Sequence, residues 1–172
     1  MEFYPLGTVQ TPYPAWYVEG LAQVGLNADA TNQWLLGGET DGEEGWKSPA
    51  AHLLTMPPGY TLFRHGHPCF RFEVVVQGTL ELGDGRVAHV GDTFTAAPDT
   101  LYGPHTAGPE GCTTIEFFSR LEAAYTLLYE GENGETLVAD VRKGEMPPSY
   151  IEMERDKDML PGITASRAAA AG

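Results

Sequence analysis

"RHGHPCFRFEVVVQG", Arg64–Gly78, sets two histidines one residue apart just ahead of an apolar run that closes on glycine. In an extended strand alternate side chains share a face, roughly 6.5–7 Å apart along the chain, so His65 and His67 are expected to lean onto one ion or ligand. Cys69, Arg71 and Glu73 have the same parity and are expected to face the same interior. A His-x-His pair alone is a common surface accident. Between "PPGYTLFR" and an apolar strand it gains weight as a site.

Outward from this stretch the pattern is one of short strands. "AHLLTM", "YTLFRH", "RFEVVVQ", "TLEL", "RVAHV", "TFTAA" and "CTTIEFF" run between Ala50 and Ser119. Turn signals separate them: "PPG" at Pro57–Gly59, Asp84-Gly85, Gly91-Asp92 and "AGPEG" at Ala107–Gly111. Regular short strands of this kind predict an antiparallel sandwich or small barrel. Beyond Ser119, "LEAAYTLLYE" fits helix or strand by its apolar spacing. "ENGE" followed by "TLVADV" favours a hairpin turning at Asn133-Gly134.

Length and charge narrow the classes. A chain of 172 residues buries a core without disulfide staples. Its net charge of −14 repels a phosphate backbone, which argues against nucleic acid. No run approaches the length of a membrane span and no basic-then-apolar leader opens the chain, so a soluble, cytoplasmic protein is expected. Cys69 and Cys112 form no CxxC pair, in keeping with a reducing compartment. Trp16, Trp34 and Trp46 in the first 49 residues are read as packing an outer strand or a face between two copies. The acidic loop "ETDGEEG" is read as solvated, and "ITASRAAAAG" as a frayed end.

The frame Gly59, His65-x-His67 and "VVVQG" ending at Gly78 resembles the first motif of the cupins. "GDTFTAAPDTLYGPHTAGPEG" from Gly91 resembles the second, with Gly91-Asp92, Pro98 and His105. The resemblance covers the middle third of the chain. It implies an all-β fold, a cupin jelly-roll β-barrel in a single domain: an N-terminal arm at 1–49, the barrel at 50–142 and an extension at 143–172. It also implies a divalent metal held by three histidines and a glutamate. Carried over by residue, the first two histidines fall on His65 and His67. The glutamate position falls on Arg71 and the third histidine position on Gly103.

A shift of two residues repairs both departures, since Glu73 and His105 keep the strand face of the positions they replace. A bulge near Pro68 would realign them. The expected ligand set is then His65, His67, Glu73 and His105. It suits Fe(II) first, with Mn(II), Ni(II), Co(II) or Zn(II) as alternatives. Under that reading the chain is a metal-dependent enzyme, a dioxygenase acting on a small oxygenated or aromatic compound, or an isomerase or lyase. Glu73 and Tyr102 are the candidate catalytic residues, and Arg71, Cys69 and Tyr60 the candidate pocket. The competing reading gives Arg71 the metal's place: its fixed charge repels a cation and makes the barrel a pocket for an organic anion. Under both readings the expected partners are a small molecule and a second copy of the chain in a homodimer.

Overall fold

The computed structural model describes residues 32–36, as backbone only, and residues 47–152. The tryptophans, the acidic loop and the C-terminal tail singled out above lie outside the residues whose side chains are described. Nine strands carry the fold, with little helix among the described residues. They are β1 (Asn32–Leu36), β2 (Ala50–Met56), β3 (Thr61–Leu62), β4 (Arg71–Glu81), β5 (Val87–Ala88), β6 (Thr93–Ala96), β7 (His105–Phe118), β8 (Thr126–Glu130) and β9 (Thr136–Asp140). All pairings are antiparallel. Seven strands form one sheet in the order β1-β2-β7-β4-β5, with β3 beside β7 and β6 beside β4, while β8 and β9 form a second. This is the all-β architecture that the strand pattern predicts.

Period-two burial explains the central strands. On β4 the side chains of Arg71, Glu73 and Val75 are buried while Phe72 and Val74 are only partly so, and on β7 Thr114, Glu116 and Phe118 are buried between the less covered Ile115 and Phe117. Leu54, Met56, Tyr60, Val75, Leu80, Ala88, Ala107 and Cys112 pack as one core cluster. A short helix, α1 (Leu121–Ala124), turns the chain into β8. The hairpin of β8 and β9 follows, turning through Gly134 at φ 81°. The segment with two readings is therefore both: one helical turn, then a strand.

Four expectations are corrected. "RFEVVVQ" and "TLEL" form a single strand, because Gly78 continues the ladder at φ 72° instead of ending it. A Cβ there would sit 2.0 Å from the Gly111 carbonyl oxygen, so the close approach of β4 and β7 requires glycine. "AGPEG" is not a turn between strands, since β7 runs through it. The register slips occur between Val75 and Gln77 and between Gly78 and Leu80, not near Pro68. Finally, the strand expected at "YTLFRH" is only Thr61–Leu62, and His65 and Gly66 lie beyond it as isolated bridges to Tyr102 and Leu128.

The histidine pair therefore sits on a pinned loop. His65 exchanges backbone hydrogen bonds with Tyr102 at 3.1 and 2.8 Å, and Gly66 exchanges them with Leu128 at 2.9 Å each way. Gly66 is squeezed between these partners, and a Cβ on it would meet the Thr100 carbonyl oxygen at 2.4 Å. Gly66→Ala is therefore expected to cost about 1–3 kcal/mol through overpacking, read as a lower urea midpoint.

A candidate ligand site built on a buried arginine

The register of three strands assembles the centre. Glu73 on β4 lies opposite Glu116 on β7, which lies opposite His52 on β2. Arg71 reaches back over this row from the end of β4. Its Nε donates to Glu116 Oε1 at 3.0 Å, and its Nη2 donates to both Glu116 Oε1 and Glu73 Oε2. His52 Nε2 bonds the other Glu116 oxygen. The guanidinium also stacks over the Tyr102 ring at 4.5 Å and approaches that of Phe94 at 5.8 Å. Arg71 is 1% exposed and Glu73 0% exposed, so the cluster is a desolvated ion network.

The two carboxyls divide the charge. Burial alone would raise the Glu116 pKa, but the Arg71 guanidinium and His52 outweigh it and hold Glu116 well below the carboxylate range. Glu73 is pushed up to about 8, by burial first; Arg71 opposes the rise and Glu116 adds to it. Of the two carboxyls, Glu116 is the one held as the anion that answers Arg71, and Glu73 is the one shifted toward its protonated form.

Three histidines within reach of the Arg71 charge are all buried. Burial lowers His65 to about 4, and His67 and His105 to about 3, so all three are neutral. His65 Nδ1 donates to the Phe63 carbonyl at 2.7 Å, and His67 Nδ1 donates to the carbonyls of Ala123 and Thr126 at 2.9 and 3.1 Å. Those bonds fix the tautomer and leave each Nε2 with a lone pair. The Tyr102 hydroxyl, 3.3 Å away, donates to His65 Nε2, and burial raises its own pKa above the usual range. His105 Nδ1 is buried with no hydrogen-bond partner among the described residues.

The expected ligand set does not assemble. Glu73 Oε2 is bonded to Arg71, and the guanidinium fixes a positive charge beside the imidazoles. The rings of His65 and His67 lie 5.4 Å apart, while the Tyr102 ring packs against His65 on one side and His105 on the other, at 4.8 and 5.5 Å. Among the described residues no three His, Cys, Asp or Glu side chains converge as a metal site. In this arrangement Glu73 is committed to Arg71, and the guanidinium charge opposes a divalent ion beside the histidines.

A cavity of about 260 Å³ opens beside the cluster, and Arg71, Phe94, Tyr102 and His105 line it. Glu73 does not line it, so the structure places this residue as a partner of Arg71. Cys69 packs with Phe118 and Ala123, and Tyr60 with the main core, both away from the cavity lining. Glu116 is the residue that sequence reasoning missed. The available signal was a lone carboxylate in "CTTIEFF", with the parity of the buried Thr114 and Phe118. His52, from the strand "AHLLTM", buttresses Glu116.

Two outcomes are expected. Arg71→Met strands Glu116 in the interior and is expected to cost about 3–5 kcal/mol, much of it regained when Glu73→Gln and Glu116→Gln are added. Chemical denaturation of the single and triple variants checks this. The second concerns pH. The histidines are neutral when folded but protonate near 6.5 when unfolded, so their stability is lost as pH falls below 6.5. Glu73 works in the opposite sense, losing stability as pH rises from 4.5 through about 8. Three groups oppose one below pH 6.5 and Glu73 acts alone above it, so Tm is expected to peak near the value of 6.5 common to the imidazoles. A Tm that climbs steadily between about pH 5 and 9 contradicts the assignment.

No family model matches the chain, and no curated protein does. Similar solved structures include an RmlC-like cupin protein from Ralstonia eutropha, 17% identical, covering 77% of this chain and 76% of that one, at a TM-score of 0.46. An acetylacetone dioxygenase from Acinetobacter johnsonii is 15% identical, covering 71% and 76%, at 0.46. KdgF from Halomonas sp. is 21% identical, covering 52% and 77%, at 0.42. At such identities and scores these likenesses carry no argument about activity. Among the described residues no helix is long and apolar enough to cross a membrane. The described strands form an antiparallel all-β fold that gathers residues of both motif-like stretches in one interior.

Proposed function

We propose that this chain is a cupin that binds a small organic acid, with the Arg71 guanidinium as the polar anchor in the cavity. The observation that carries the reading is how Arg71 is held. Nε and Nη2 are committed to Glu116 and Glu73, whereas Nη1 makes no hydrogen bond among the described residues. Its two N–H groups are left for the cavity that the residue lines. A guanidinium fixed in this way needs little reorganisation to take a carboxylate oxygen. The neutral Tyr102 and His105 supply further polar contact, and Phe94 and Leu101 supply apolar wall. At about 260 Å³ the cavity falls near the small end of ligand pockets, which favours a compact acid.

A metal-dependent enzyme, a dioxygenase or a lyase, is the second reading. The Nε2 lone pair of His67, set by an Nδ1–H bond to the Ala123 carbonyl, favours it, with His65 Nε2 available once it gives up the Tyr102 hydroxyl. Elemental analysis of protein purified without a histidine tag, paired with calorimetric titration of acetate and benzoate, separates the two. Acid binding by metal-free protein, weakened about tenfold or more in Arg71→Lys, is expected. Stoichiometric metal, lost in His65→Ala, would replace the anion reading with the metal one.

A further inference from the structure

The cavity has a second basic end. Of the ten Lys and Arg residues in a chain of net charge −14, three line this one cavity: Arg64, Arg71 and Arg86. Asp84 is the single carboxylate in the lining. Resting on the reading of Arg71 as anchor, we propose that the ligand is a compact dianion, one carboxylate on Arg71 and a second anionic group between Arg64 and Arg86.

Two loops bring the outer arginines to one place. Arg64 Nη1 donates to the Gly103 carbonyl at 3.3 Å. The turn after β4 meets that same backbone, since a Cβ on Gly83 would lie 2.6 Å from the Pro104 oxygen and 2.8 Å from the Gly103 carbonyl carbon. Arg86 closes that turn, with its carbonyl accepting from Leu82 N at 2.9 Å. The Arg64 guanidinium thus meets Gly103, and Arg86 belongs to the turn that packs on the same backbone; both residues line the cavity. Leu82, Phe94, Leu101 and Tyr102 line the rest of the cavity and suit a short apolar linker.

The outer arginines differ from Arg71 in how they are held. The Arg86 side chain is 75% exposed and pairs with Asp84 at 2.6 Å; that of Arg64 is 51% exposed and lies 3.5 Å from Glu130. Exposed pairs of this kind contribute little, so a ligand's charge can share or replace the acidic partners. Arg71 supplies a rigid, desolvated contact, while the outer pair supplies a solvated one that salt weakens.

Calorimetry at low salt with butyrate, succinate and glutarate tests the proposal on the full chain, its Arg64→Gln and Arg86→Gln variants, and the double variant. The diacids are expected to bind at least about tenfold more tightly than butyrate, with that preference falling toward one in the double variant and on adding salt. Both outer side chains are exposed, and an unchanged circular dichroism spectrum confirms folding of the variants. Equal affinity for mono- and diacids, or a preference that survives the double substitution, overturns the dianion proposal and leaves Arg71 as an anchor for single carboxylates. Failure of all three acids to bind overturns the anchor reading itself.

Discussion

Two carboxyls, one of them backed by an imidazole, hold one guanidinium in the interior, and the rest of the site follows from that constraint. A buried arginine is tolerable only if its charge is answered nearby, and the pairing of β4 with β7 supplies Glu116 directly opposite Glu73. With Glu116 ionised and bonded on its far side by His52, Arg71 cannot swing toward solvent without leaving an unpaired anion behind. The Tyr102 ring beneath the guanidinium is fixed in turn, and with it the hydroxyl that bonds His65. The aromatic and imidazole wall of the cavity is thus referenced to a single cation.

Much of the fold can be read from local pattern. Alternation in "RFEVVVQ" and "CTTIEFF" gives the two central strands and the faces they bury, and Asn133-Gly134 marks its hairpin through turn chemistry alone. Errors arose where tertiary pairing overrides a local signal. Gly78 and the glycines of "AGPEG" look like punctuation in sequence, yet they let two long strands cross closely while the register slips between them. The histidine pair looked like a strand because its parity fits, but long-range bridges to Tyr102 and Leu128 shape that loop.

The site was legible in its members more than in its wiring. His65, His67, Arg71, Glu73, Tyr102 and His105 all stand out by type and spacing. Whether Glu73 faces a metal or a guanidinium depends on Glu116, more than forty positions downstream, and on a register that no local pattern sets. Arg71 at a position where the cupin motif that this stretch resembles has a glutamate was the decisive departure. Its weight becomes clear only when a second carboxylate appears across the strand.

This wiring also limits how the interior can change over generations. Arg71→Glu would restore the glutamate of the cupin-like motif on paper, yet it would leave three carboxyl groups crowded in the interior with no guanidinium to answer them. The intermediate carries the cost before any new ligand is gained, and the exchange becomes tolerable only if Glu73 and Glu116 change with it. The arginine is therefore entrenched: the side chains that accommodate it also bar a one-step return.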